Sequence, residues 1–178
     1  MVKMLMDAAY FAADKHATQR RKGVAAEPYI NHLLEVAALV SSATPEPDVT
    51  TVIAALLHDC IEDAGVTKQE LVERFGEEVA AVVAEVTDDK SLKKEERKRL
   101  QVVNAPKKSP RAALVKLADK VSNLRAMLNS PPADWSDERR TQYFAWAKEV
   151  VEGLPSPNPF LKAEFDALQK RYAARALA

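Results

Sequence analysis

Several common structural resources are scarce in this chain. It holds one cysteine, Cys60, so no internal disulfide can form, and a reducing setting such as the cytoplasm is expected. Four glycines and 6% aromatic residues argue against an all-β fold, and no segment alternates convincingly with period two. Net charge is absent: 26 Lys+Arg face 26 Asp+Glu, which removes any whole-molecule electrostatic case for nucleic acid or membrane. No apolar run reaches transmembrane length, and Asp7 falls too early for a signal-peptide core. There is also no Gly-rich phosphate loop, no serine nucleophile elbow and no catalytic Cys–His arrangement.

What the chain does contain is helical punctuation. With 178 residues, 47% hydrophobic and 29% charged, it is expected to be a soluble intracellular protein of one domain, 1–178. Apolar spacing predicts a first helix over 5–17, followed by a polar, basic loop over 19–27. Pro28 suits the opening of a second helix over 29–40, which carries His32. Asp48 is the expected cap of the helix leading into His58. Gly65 suits a helix end, and Thr67-Lys68-Gln69-Glu70 reads as a capping box, hydroxyl forward and carboxylate back. A helix restarts at Gly76, and 88–99 reads mostly as solvated loop and helix face. Ser109-Pro110 opens a helix with Leu114, Leu117, Val121 and Leu124 at helical spacing. Helices over 135–151 and 160–176 complete an all-α bundle of roughly eight to ten helices.

The chemistry concentrates in Leu57-His58-Asp59-Cys60-Ile61-Glu62-Asp63, at the end of an apolar run where uncompensated charge is costly. If the helix continues through Asp63, His58 and Glu62 share a face, as do Asp59 and Asp63. His32 and Asp119 add an imidazole and a carboxylate from two other apolar helices. Mixed imidazole and carboxylate ligation suits Mn²⁺, Fe²⁺ or Zn²⁺ and leaves room for water. Singly, each has a blander reading: a lone histidine is more often a satisfied core residue, and Asp119 could pair with Lys116 or Lys120. The conjunction is the stronger signal. Asn123 shares a face with Asp119. Lys15, Arg20, Arg21 and Lys22 form a basic cluster that could hold phosphates or lie solvated. His16 is not expected to be a ligand, Cys60 reads as a small core residue, and Lys93 to Arg99 reads as surface.

These segments, in this order, resemble the HD-type alarmone hydrolases of the RelA/SpoT family, especially the small stand-alone kind similar to the metazoan SpoT homologue. The likeness runs through Phe11-Ala12-Ala13-Asp14-Lys15-His16, Gln19-Arg20-Arg21-Lys22, Pro28-Tyr29-Ile30-Asn31-His32 and Leu57-His58-Asp59 with Glu62-Asp63. It continues in Leu117-Ala118-Asp119-Lys120, Asn123-Leu124-Arg125 and Tyr143-Phe144-Ala145-Trp146. The resemblance implies Mn²⁺ held by His32, His58, Asp59 and Asp119, with Glu62 and Asp63 as the catalytic pair. It implies substrate contacts from Arg21, Lys22, Asn123, Arg139 and Tyr143. The implied reaction removes the 3′-pyrophosphate of ppGpp or pppGpp, giving GDP or GTP and pyrophosphate. No nucleic-acid or membrane partner is expected. Alternatives on the same site are NADPH, adenosine alarmones such as pppApp, or a non-catalytic alarmone-binding role. The family's usual proline after His32 is Leu33 here.

Overall fold

The computed structural model describes residues 1–176, and its architecture is helical from end to end. In chain order the helices are α1 (Val2–Lys15), α2 (Ile30–Ser42), α3 (Val49–Leu57), α4 (Cys60–Ala64) and α5 (Lys68–Phe75). They continue with α6 (Glu77–Val86), α7 (Lys94–Asn104), a 3₁₀ turn (Ala105–Lys107), α8 (Pro110–Asn129), α9 (Asp137–Gly153) and α10 (Pro159–Ala176). Among the described residues, extended pairing is limited to an isolated bridge between Arg20 and Pro28. Among the described residues, no helix is long and apolar enough to cross a membrane.

α8 is the axis of the bundle, touching α2, α3, α6, α9 and α10. Twelve of its twenty residues are buried, including Val115, Leu117, Val121 and Leu124. α3 lies against it, buried continuously from Thr51 to Leu57. That sequence is rich in β-branched residues and has weak intrinsic helix propensity, so its conformation depends on packing and on its cap. Asp48 supplies the cap, accepting from the Thr50 amide at 3.2 Å. Ser109 caps α8 in the same way through the Ala112 amide, and Ser136 caps α9 through Arg139. Leu33, in place of proline, is wholly buried in the core.

Three expectations are revised. The helix leading to His58 does not run on to Asp63: α3 ends at Leu57, and α4 starts afresh at Cys60. Asp59 has φ −101° and ψ 0°, which breaks the spiral, so the same-face pairing of His58 with Glu62 does not follow. Pro28 does not open α2; it sits in the bridge with Arg20, two residues ahead of the helix. The capping box is half formed: Thr67 accepts from the Glu70 amide at 3.1 Å. The Glu70 carboxylate turns away, to Lys15 at 3.5 Å and Arg74 at 3.3 Å. The stretch 88–99 is, as expected, loop as far as Lys93 and then the start of α7, a helix with no buried residue that packs on α9.

Because α8 carries the contacts that hold the other helices in place, truncating it at the core should be felt globally. Leu117 is 1% exposed. Leu117→Ala is expected to cost about 2–5 kcal/mol of stability, measured by urea denaturation.

Candidate active site

Four of the proposed ligand side chains arrive from three places in the fold. His32 lies in the first turn of α2, His58 and Asp59 in the break between α3 and α4, and Asp119 midway along α8. His58 Nε2 stands 3.2 Å from Asp59 Oδ2 and 3.8 Å from Asp119 Oδ1. His32 Nε2 stands 3.6 Å and 3.4 Å from the same two oxygens. The break at His58 is what makes this convergence possible, since adjacent residues of a regular helix diverge by about 100°.

The imidazoles are held by their far nitrogens. His58 Nδ1 donates to the Ala55 carbonyl at 2.8 Å. Its Nε2 is buried without a hydrogen-bond partner and faces the carboxylates. His32 Nδ1 is 2.8 Å from the Ser122 hydroxyl, which donates its own proton to Glu35 at 2.6 Å. The hydroxyl must therefore accept from His32 Nδ1, leaving Nε2 directed inward as a lone pair. His32, His58 and Asp59 bring ligand atoms within 4.8 Å of one another and could hold a divalent metal ion, while Asp119 Oδ1 faces both imidazoles at 3.4 Å and 3.8 Å.

The surrounding charges agree with that fit. Burial would raise Asp59, but the adjoining imidazoles win and hold it well below the usual carboxylate range. Asp119 is also depressed: burial opposes ionisation, while Lys120 and the two histidines favour it. Burial alone would lower His58, yet the charges of Asp59 and Asp119 push it up to about 10. Tyr29 is kept protonated by burial and by Asp59, so its hydroxyl donates to Asp59 Oδ2 at 2.6 Å. Asn123 donates to Asp119 Oδ1 at 2.6 Å and accepts from Arg21 at 3.2 Å, tying the basic loop to the cluster.

Above the cluster opens a cleft of about 480 Å³, lined by Glu62, Asp63, Arg21, Lys22, Asn123, Arg139 and Tyr143, among others. Glu62 accepts from the Asp88 amide at 3.1 Å and lies 3.5 Å from Arg97. Burial, with Asp88 and Asp59 nearby, raises Glu62 above the ordinary carboxylate range. Asp63 accepts from Gln19 Nε2 at 3.0 Å and pairs with Lys90. Gln19 is itself fixed by His16 Nδ1 at 2.5 Å, and the His16 ring stacks on Tyr29. His16 thus stands behind the site, outside the metal-ligand set.

The reading of Lys93 to Arg99 as surface is corrected here: Lys94, Arg97 and Lys98 line the cleft, as do Trp135 and Trp146. Arg139 lies 4.3 Å over the Trp135 ring, and Lys98 lies 4.8 Å over Trp146. Partial burial, then Arg139 and Lys22, lower Lys94; burial, then Lys94 and Lys120, lower Lys98. A signal for this face was present: Lys94, Arg97, Lys98 and Gln101 recur at i, i+3, i+4 and i+7.

An all-α bundle with two imidazoles and two carboxylates gathered beneath a cationic cleft has the form of an HD-type metal-dependent hydrolase. The family model described as HD domain matches residues 8–147. The chain is 48% identical over 163 residues to the Xenopus tropicalis protein named guanosine-3′,5′-bis(diphosphate) 3′-pyrophosphohydrolase MESH1, covering 92% of this chain and 91% of the relative. The Homo sapiens protein of that name is 47% identical over 173 residues, covering 97% and 95%. A solved structure described as a metazoan ortholog of SpoT that hydrolyzes ppGpp superposes with a TM-score of 0.91 at 45% identity, covering 94% of each chain. The chain belongs to the HD domain family and, within it, to the MESH1 group.

Below about pH 10, a cation that takes His58 Nε2 has to displace a proton. Calorimetric titration with a divalent cation near neutral pH, in buffers of different ionisation enthalpy, should show about one proton released per ion bound. Apparent affinity should rise with pH. No proton release from a protein that binds the ion through His58 would show that Nε2 carries no proton in the metal-free site.

Proposed function

We propose that this chain is an Mn²⁺-dependent 3′-pyrophosphohydrolase of guanosine alarmones, converting ppGpp or pppGpp and water to GDP or GTP and pyrophosphate. The observation that carries the reading is that the Nε2 atoms of His32 and His58 each lie within 4 Å of carboxylate oxygens of Asp59 and Asp119, beside a cleft rich in cations. Support also comes from the relatives, which carry that activity in their names over nearly their whole length.

In this reading His32, His58, Asp59 and Asp119 would hold the ion. A bound Mn²⁺ would supply Lewis acidity, polarising a phosphoryl oxygen and making water easier to deprotonate. Glu62 and Asp63 orient the attacking water and take its proton. Glu62 suits this work because its burial and acidic neighbours leave it more basic than an exposed carboxylate. Asp63 suits it because Gln19 on Oδ2 and Lys90 on Oδ1 fix its position while each oxygen keeps a second lone pair. The new bond forms between water oxygen and phosphorus, and the bond from that phosphorus to the 3′ oxygen breaks. The departing 3′ oxygen leaves as a hydroxyl, needing one proton, which balances the one released by water.

Arg21 and Lys22 from the basic loop, with Arg139 from α9, neutralise phosphate charge, and Arg21 is oriented through Asn123. Tyr143 offers an aromatic wall beside Trp135 and Trp146, at ring-centroid distances of 5.5 Å and 5.4 Å. This combination suits a substrate with a planar base and several phosphoryl groups.

Purified protein with Mn²⁺ and ppGpp is expected to release GDP and pyrophosphate. In a panel with pppGpp, pppApp and NADPH, the guanosine alarmones should have the highest kcat/KM; a preference for NADPH would overturn the substrate assignment. Glu62→Ala and Asp63→Ala should each lower kcat by about 10²- to 10⁴-fold while retaining Mn²⁺. His58→Ala should instead lose the ion, as read by metal analysis. Wild-type turnover in the carboxylate variants would refute the acid pair, and unchanged Mn²⁺ content in His58→Ala would refute the ligand set.

A further inference from the structure

Behind His32 runs a line of polar side chains that the chemistry above does not use. Ser122 is wholly buried, midway along α8, three residues after Asp119. A serine within a helix commonly returns its hydroxyl to a carbonyl one turn back. Ser122 instead reaches across to α2, accepting from His32 Nδ1 at 2.8 Å and donating to Glu35 Oε2 at 2.6 Å. Glu35 lies on the same helix as His32, three residues on, and its other oxygen accepts from Arg125 Nη1 at 3.1 Å. Arg125 in turn gives Nη2 to Glu164 on α10 at 2.6 Å. The line therefore joins α2, α8 and α10 and terminates on the imidazole.

Its direction is fixed by proton counting. The carboxylate of Glu35 accepts only, so the single hydroxyl proton of Ser122 points outward to it. The hydroxyl oxygen then offers only lone pairs to the imidazole, and His32 must carry its proton on Nδ1. Were Glu35 removed, the hydroxyl could rotate and donate to Nδ1. The opposite tautomer, with hydrogen on Nε2, would then compete, and that hydrogen blocks the inward nitrogen.

We propose that Ser122 and Glu35 are positioning residues that lock His32 in the tautomer and ring orientation needed to bind a divalent cation, with Arg125 and Glu164 holding Glu35 in place. This rests on the reading of His32 as a ligand. An outer partner of a ligating histidine contributes about 10- to 100-fold in metal affinity. The two positions have different structural risk: Ser122 is in the core, whereas Glu35 has a side chain about one-third exposed.

The test is the Mn²⁺ dissociation constant of the full chain, read from the free-ion electron paramagnetic resonance signal without any turnover. Ser122→Ala and Glu35→Ala are each expected to weaken Mn²⁺ binding about 10- to 100-fold. Glu35→Gln, which keeps an acceptor oxygen for Ser122, should stay closer to wild type than Glu35→Ala, and Ser122→Thr should recover affinity lost in Ser122→Ala. A purely structural role would lower the melting temperature without this graded rescue of affinity. Wild-type affinity in both alanine variants, beside lost affinity in His32→Ala, would overturn the relay and leave the ligand assignment standing. Wild-type affinity in all three would overturn the ligand assignment itself.

Discussion

Charge buried in an apolar bundle has to be compensated where it stands, and this requirement organises the structure. Asp59 and Asp119 remain ionised in surroundings where an isolated carboxylate would take up a proton. They do so because two imidazoles, a tyrosine hydroxyl, an asparagine amide and Lys120 are brought to them. Those groups come from α2, α8, the loop before α2 and the α3–α4 break. Packing must therefore place four segments within hydrogen-bond range at once. The continuous burial of α3 and the central position of α8 supply that rigidity.

Polarity in the site is separated by depth. The imidazoles and carboxylates of the cluster meet the cleft through Tyr29 and Asn123, and the cleft walls hold arginines and lysines from three segments distant in sequence. A cation at the cluster and anionic groups along the wall satisfy both ends together, which suits metal-assisted attack on a phosphoryl group. Glu62 and Asp63 stand between these regions, with their own contacts to Arg97 and Lys90. On the proposed reading, such an arrangement would keep a proton acceptor beside the reacting centre without letting it merge into the ligand cluster.

Local chemistry was legible in the sequence; long-range pairing was not. Asp48, Thr67 and Ser109 announce helix starts because a cap needs only the next turn. His58-Asp59 announced itself because charge in an apolar run demands compensation. The break between Leu57 and Cys60 left no such mark: no proline or glycine stands there, and convergence on His32 and Asp119 decides the backbone. The basic face of α7 was read as solvated because its partner is about fifty residues away, where Trp146 Nε1 donates to the Lys98 carbonyl at 3.0 Å. Ser122 looked like an ordinary helical serine, since its role depends on a histidine ninety positions earlier.

The wall of cations also carries an energetic cost that bears on specificity. Burial lowers the tendency of Lys94 and Lys98 to stay protonated; Lys94 lowers Lys98 further, Lys22 lowers Lys94, and Arg139 adds to both. In a neutral protein these like charges were not forced together by composition. They are tolerated because aromatic faces lie beneath them: Trp135 under Arg139 and Lys94, Trp146 under Lys98 and Lys120. Aromatic rings accept cations without neutralising them, so the positive potential remains available to a ligand. An acidic residue would have stabilised the same lysines more fully and cancelled that potential. The tryptophans thus resolve a conflict between stability and binding, keeping the wall folded while leaving its charge available to an anionic ligand.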